Sequence, residues 1–501
     1  MSSLLILGTS SGAGKSTLVA GLCRWLARQG RRVAPFKAQN MSLNSYVGVD
    51  GGELGRAQAL QAWAAGIEPD TRMNPILLKP GSPTRSQLVV RGQPAGELEA
   101  RSFARRGALA PVVAAAFAEL REEYDVVICE GAGSPAEINL RASDLVNLGF
   151  ARAHGVPALL VADIDRGGAF AALAGTLAVL EPRDQDLVRG FVLNRFRGDP
   201  ALLGDGLAQL ARLTGRPTLG VVPELPGREL DTEDRTDWGR FGGGTPPRGP
   251  DSLRVGVVML PYASNLTDLD ALALEPGVRV RPLWWPAEAE DCDLVIVPGS
   301  RATVADLAWL RERGFDTVLA RRAAAQRPVL GICAGYQMLG HVIDDPIESG
   351  AGEVAGLGLL PVATAFSPTK VVARTRAVVA GAPVTGYQIH HGRVTRAGGD
   401  PLFADEGCRV GAVAGTTWHG LFEANAWRRS YLADVAAAAG RSFVADPTTD
   451  FAAARAARLD ALADAVDQHL DTGAIERLLD GSSPVPRRVR LTRRPAPAGP
   501  A

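Results

Sequence analysis

The stretch SLLILGTSSGAGKSTLVAGLCRWLAR, residues 3–28, decides how the N-terminal half of this chain must be read. An aliphatic run breaks into small residues, reaches Lys15, Ser16 and Thr17, and resumes with Leu18, Leu22, Trp25 and Leu26 on one side of a helix. Strand, glycine turn and helix in that order let backbone N–H groups wrap a phosphate chain. Lys15 then brings a cation to the outer phosphates and the Ser16 hydroxyl is placed for Mg²⁺. The expected nucleotide-binding set is Thr9, Gly12, Gly14, Lys15, Ser16 and Thr17, with ATP and Mg²⁺ as the implied cofactors. Thr9 stands where the usual pattern has its first glycine, with Gly8 one step earlier. A glycine-rich turn with an incidental lysine is the plainer alternative, and the intact Gly-Lys-Ser-Thr between strand and helix weighs against it. A metal bound here also needs an acid, and Glu130, at the end of the strand-like VVICE, is the candidate; Asp163 and Asp165, ending LLVADID, compete with it.

Outward from this loop, short aliphatic runs alternate with helical stretches as far as residue 225. That pattern implies βαβ units and a parallel sheet covered by helices. Residues 226–252, rich in Gly, Pro and charge, read as a linker. A second α/β series then runs through LRVGVVML, CDLVIVPGS and RPVLGICAG, and alanine-rich helical sequence carries it to residue 480. The expectation is an α/β protein of two doubly wound domains: a phosphate-loop domain over 1–225 and a second over 253–480. Residues 481–501 offer little to bury and read as a disordered tail.

Composition narrows the function classes. Lys+Arg and Asp+Glu each number 54 in 501 residues, so the formal charge is zero and nothing suggests nucleic acid or a membrane surface as partner. No run approaches the ~18 apolar residues of a membrane span, and a soluble cytoplasmic protein is expected. The five cysteines are scattered and never spaced as CxxC, which implies neither a disulfide framework nor a zinc site.

One of those cysteines sits in PVLGICAGYQMLG, residues 328–340. Gly331 and Gly335 flank Cys333 at the spacing that turns a strand sharply into a helix and presents the side chain between them at the apex. Such a cysteine is a candidate nucleophile, with the backbone of Gly299 and Ala334 as candidate oxyanion donors. Its base is expected in His419, within the glycine-bounded turn GTTWHGLFE. His390 and His391 are adjacent in GYQIHHGRV; on a regular strand they would face opposite ways, so at most one would enter a shared site.

Phosphate loop first and cysteine elbow second, the chain resembles the cobyric acid synthase family, glutamine-dependent amidotransferases of cobalamin biosynthesis. The resemblance covers about residues 3–425 and rests on GTSSGAGKST, PFKAQNMSLNS, GELGRAQALQA, MNPILLKP, EGAGSPAEINL, DIDRGGAF, NRFRGD, GICAGYQMLG and GTTWHGLFE. The first half is also similar to dethiobiotin synthetase and the second to class I glutamine amidotransferases. The resemblance implies Cys333 as nucleophile with His419, L-glutamine as ammonia donor, and a corrinoid acceptor amidated at four carboxylates. Gln39, Asn40, Ser42 and Asn44 are candidate substrate contacts; a hydrogen-bonded loop is the equal alternative. Three departures stand out: Ala334 where a glycine is common, Gln388 where a glutamate is expected, and Leu421 where most class I enzymes carry the glutamate of a triad. The group orienting His419 is therefore left unassigned. A cobyrinic acid a,c-diamide synthase shares both halves. A phosphate-loop switch protein shares the first half alone and leaves the cysteine unexplained.

Overall fold

The computed structural model describes residues 2–99, 107–225, 245–379 and 381–489. The first unit is built on a six-stranded parallel sheet in the order Thr218–Pro223, Val188–Phe196, Ala158–Asp163, Ser2–Gly8, Val126–Glu130, Val33–Phe36. Leu4, Leu5, Ile6 and Leu7 are fully buried, because this strand has helices on both faces. The order reverses beside Ser2–Gly8, and the phosphate loop leaves the sheet at that point, where α/β sheets open a crevice. The second unit repeats the architecture with Val278–Leu283, Leu253–Val258, Leu294–Val297, Val329–Ile332 and Val413–Thr416 in parallel, and Cys408–Val410 antiparallel at the edge. A long hairpin, Val362–Val379 with Ala382–Arg396, reaches from it toward the first unit.

The helices expected to finish the second domain instead close the first. Phe451–His469 packs along helix α1 (Lys15–Arg28), and with Thr472–Leu479 it joins Leu4, Leu22 and Leu26 in one core through Leu462, Val466, Ile475 and Leu479. Gly21 lets the two helices touch: a Cβ there would lie 3.0 Å from the Leu462 carbonyl oxygen. Arg24–Asp460 and Arg28–Asp464 ion pairs and the Trp25–Asp467 hydrogen bond flank the seam. Helical periodicity shows that a segment has an apolar stripe, but not which surface it covers.

The expected linker and tail also differ in part. Residues 226–244 lie outside the described residues, while Thr245 accepts a hydrogen bond from Gly277 and Arg248 pairs with Asp446. In the tail, Arg488 pairs with Asp186 and the Val489 amide donates to Gln185, so this part is bound along the first unit; 490–501 are outside the described residues. Among the described residues no helix is long and apolar enough to cross a membrane.

Buried polar joints tie the units together. Ser45 donates its amide to Asn265, and Asn44 accepts from the Leu266 amide. Glu53 is shared by Lys79 of the first unit and Lys370 of the hairpin at 2.6 and 2.5 Å, all three nearly inaccessible. Helix α2 (Arg56–Ala64) carries Arg56, which meets Glu423 of the second unit at 2.8 Å and lies over the Tyr46 ring.

Candidate active site

In the second unit, Cys333 ends the strand Val329–Ile332 and starts the short helix Ala334–Leu339 with φ 52°, a strained value for a residue with a side chain. The flanking glycines have steric causes. A Cβ on Gly335 would fall 1.9 Å from the Val297 carbonyl oxygen, and one on Gly331 would fall 2.6 Å from the Tyr336 nitrogen. The helix therefore lies directly against the sheet, and the Cys333 amide is held by the Thr416 carbonyl at 2.7 Å.

His419 is buried beside it, close enough for the Cys333 sulfur to favour the charged form of its ring. Its Nδ1 lies 2.7 Å from Asp268 Oδ2, and Asp268 Oδ1 accepts the Gly420 amide at 2.7 Å, so one carboxylate fixes both the ring and the turn that carries it. Burial alone would lower the imidazole; the Asp268 carboxylate and the Cys333 sulfur outweigh it and push His419 up to about 10. The Tyr387 ring stacks on His419 with centroids 5.4 Å apart. Gln388 accepts a hydrogen bond from the Thr417 hydroxyl and also meets His390.

A cleft opens on Cys333 and Ala334. Gly299 borders the His419 ring, its position for a Cβ lying 3.1 Å from Cε1. Both His390 and His391 line this cleft, against the expectation that only one would enter. Opposite these histidines the pairing of the hairpin is irregular, between Phe366 and Val371 of the partner strand. Burial lowers His390 to about 4, so it remains neutral, and its ring contacts the Gly392 carbonyl.

At the first unit's site, Gly12 and Gly14 have φ 70° and 94°, and the Asn194 amide reaches the Ala13 carbonyl so closely that any side chain on Gly14 would collide with it. Thr9 is tied by its amide to the Val161 carbonyl, and Thr17 is exposed. Lys15 curls back over the loop to the Ser10 and Gly133 carbonyls, each at 3.0 Å. Ser16 donates to Glu130 at 2.9 Å, and Lys37 and Gln61 bind the same carboxylate. Burial would raise Glu130, but Lys37 and these hydrogen bonds hold it below its usual range. Asp163 instead pairs with Arg195 and Arg166, and Asp165 with Arg197. Ser16 and Glu130 together offer the hard oxygen ligands that Mg²⁺ prefers. Among the described residues no group of three or more His, Cys, Asp or Glu gathers to hold a metal.

The four candidate substrate contacts are all buried. Asn40 is bonded to Gln58, Ser42 closes a turn with Asn44, and Asn44 joins the units, which is the hydrogen-bonded-loop alternative for these three. Residues that the sequence reading missed are Asp268, Lys37 and Gln61. Asp268 is 151 positions from its partner with no motif around it; Lys37 lies inside PFKAQNM, where a lysine ending a strand beside the phosphate loop was available as a signal.

The comparisons agree in two halves and over the whole chain. A CobQ/CobB/MinD/ParA nucleotide binding domain matches residues 4–234, and a CobB/CobQ-like glutamine amidotransferase domain matches 254–427. The chain is 57% identical to a cobyric acid synthase of Frankia casuarinae, covering 96% of this chain and 97% of that one. It is 56% identical to that of Mycolicibacterium paratuberculosis (98% and 99%) and 55% identical to that of Streptomyces coelicolor (96% and 97%).

Proposed function

The chain belongs to the cobyric acid synthase family, and we propose that it amidates the b, d, e and g carboxylates of adenosylcobyrinic acid a,c-diamide, with ammonia made in one unit and used in the other. Residues 1–225, completed by the helices of 451–479, would carry the synthetase chemistry, and the unit from 253 to about 450 the glutaminase. The observation that carries the reading is the buried line Cys333–His419–Asp268 opening on a cleft. Five free cysteines suit a reducing, cytoplasmic setting.

In the glutaminase, the Cys333 sulfur adds to the side-chain amide carbon of glutamine. His419 gives its proton to the departing nitrogen, breaking the C–N bond, and the freed imidazole then takes a proton from the water that releases glutamate from the thioester. Asp268 keeps the ring oriented and stabilises its charged form. The backbone N–H groups of Gly299, which borders the His419 ring, and of Ala334, which lines the cleft, would be the donors to the oxyanion.

A carboxylate does not accept ammonia unaided, because its oxygen is a poor leaving group. When bound, ATP with Mg²⁺ supplies the phosphoryl group that converts the substrate carboxylate to an acyl phosphate. Ser16 and Glu130 would hold the cation, while Lys15 and Lys37 set positive charge where the transferring group becomes negative.

The test separates the two chemistries. Cys333→Ala is expected to lose amidation from glutamine and keep it from high free ammonia, whereas Lys15→Ala loses both. Heavy oxygen placed in the substrate carboxylate should appear in the released phosphate. Label retained wholly in the product, or AMP as the nucleotide product, would overturn the acyl phosphate.

A further inference from the structure

The cleft that opens on Cys333 holds a charged pair with no part in the chemistry described so far. Arg301 and Glu348 both line it, and Arg301 Nη1 meets Glu348 Oε1 at 2.7 Å. We propose that this pair reads the two α-groups of the glutamine whose side-chain amide reaches Cys333, Arg301 taking the α-carboxylate and Glu348 the α-ammonium. The proposal deepens the glutaminase reading above and rests on it.

The assignment of Arg301 follows from what the other cations in the cleft are doing. Lys79 and Lys370 also line it, but both are committed to Glu53. Arg301 uses Nη1 on Glu348, while its Nε is buried and has no hydrogen-bond partner among the described residues. A guanidinium joined to one acid through Nη1 still presents the edge that carries Nε, and a carboxylate fits that edge with two parallel hydrogen bonds. A buried donor without an acceptor is costly, so a ligand that supplies one gains affinity.

The assignment of Glu348 follows by elimination. It is the only carboxylate among the described lining residues. Burial lowers both His390 and His391, so they stay neutral and bring no negative charge to an ammonium. An ammonium entering this cleft therefore has one anionic partner, and that partner is already beside the arginine that takes the neighbouring carboxylate. A free α-amino acid carries those two charges on one carbon.

Each member of the pair is also held in place independently of the other. The Arg301 amide is bonded to the Tyr262 carbonyl, and the preceding Ser300 donates to buried Asp306. Glu348 lies in a turn whose amides, from Ile347, Glu348 and Ser349, all point to buried Asp345. With their backbones fixed separately, the two paired side chains hold opposite charges side by side at the wall of the cleft, ready for a ligand that carries both.

The experiment uses the full-length enzyme and three amides: L-glutamine, glutaramate, which lacks the α-amino group, and 4-aminobutanamide, which lacks the α-carboxylate. Hydrolysis by the wild type, Arg301→Met and Glu348→Gln is compared as kcat/KM. Loss of a charge-assisted hydrogen bond predicts a fall of roughly 10- to 100-fold for glutamine in each variant. Arg301→Met should fall likewise on glutaramate yet match the wild type on 4-aminobutanamide; Glu348→Gln should show the reverse. Equal losses on all three amides would make the pair a structural bridge and overturn the proposal, as would glutamine kinetics unchanged in both variants. A wild type unable to hydrolyse glutamine would overturn the reading of Cys333 and the clamp with it.

Discussion

Asp268 contributes what neither Cys333 nor His419 supplies, a negative charge that keeps a buried imidazole protonated. Replacing it with Asn preserves the shape of the contact and removes the charge. His419, pushed up to about 10 in the wild type, should then fall toward or below the ordinary histidine value of ~6.5. If the imidazolium is the form that protonates the leaving nitrogen, the alkaline limb of the glutaminase pH–rate profile moves down by units in Asp268→Asn, and kcat near neutrality falls by roughly 10²- to 10⁴-fold. Ammonia-dependent amidation should be untouched, and measuring both profiles on one preparation checks the claim. The cysteine elbow was legible in the sequence because its signal is local: Gly331 and Gly335 are needed where the helix after the strand lies against the sheet. The acid was not legible, because Asp268 reaches His419 only through the folding of a remote turn onto it.

At the scale of elements, α2 ties the phosphate-loop site to the second unit. Its Gln61 binds the Glu130 carboxylate at the phosphate loop, and its first residue, Arg56, binds Glu423 just past the His419 turn. Arg455 holds the same glutamate from the helix Phe451–His469. Burial would raise Glu423, and Arg455 and Arg56 together hold it below its usual range. Arg56→Met is therefore expected to destabilise the protein by about 1–3 kcal/mol, the cost of losing a charge-assisted hydrogen bond while Arg455 still holds Glu423, seen as a lower denaturation midpoint. Leu462→Ala, at the seam with α1, should cost about 2–5 kcal/mol by leaving a cavity against Gly21 and its neighbours. The sequence announced the helices and strands themselves through their periodicity. It did not announce the docking of Phe451–His469, whose alanine-rich surface carries no mark of its partner.

For the whole molecule, the joint formed by Glu53, Lys79 and Lys370 sets how the two units respond to acid. Burial would raise the Glu53 carboxyl, but Lys370 and Lys79 outweigh it and hold it well below the usual range. A group depressed in this way contributes stability that is present above its unfolded value, about 4.3, and is lost as pH falls through the lower folded value. Glu53→Gln should thus lower the unfolding temperature near neutrality and make the difference from wild type shrink in strong acid. Calorimetry across that range is the check; a constant difference would exclude the carboxylate as the cause.

The return of the last helices to the first sheet also has a consequence during synthesis on the ribosome. The strand, loop and helix of residues 2–28 emerge first, yet the surface that covers Leu22 and Leu26 arrives only with Leu462 and Val466. At roughly 5–20 residues per second, tens of seconds separate the two. Throughout that interval the nascent N-terminal unit exposes an apolar groove that its own chain cannot yet fill. A chain truncated before residue 451 would keep Cys333, His419 and Asp268 but leave Leu22 and Leu26 of the nucleotide-binding unit uncovered, an apolar surface prone to association.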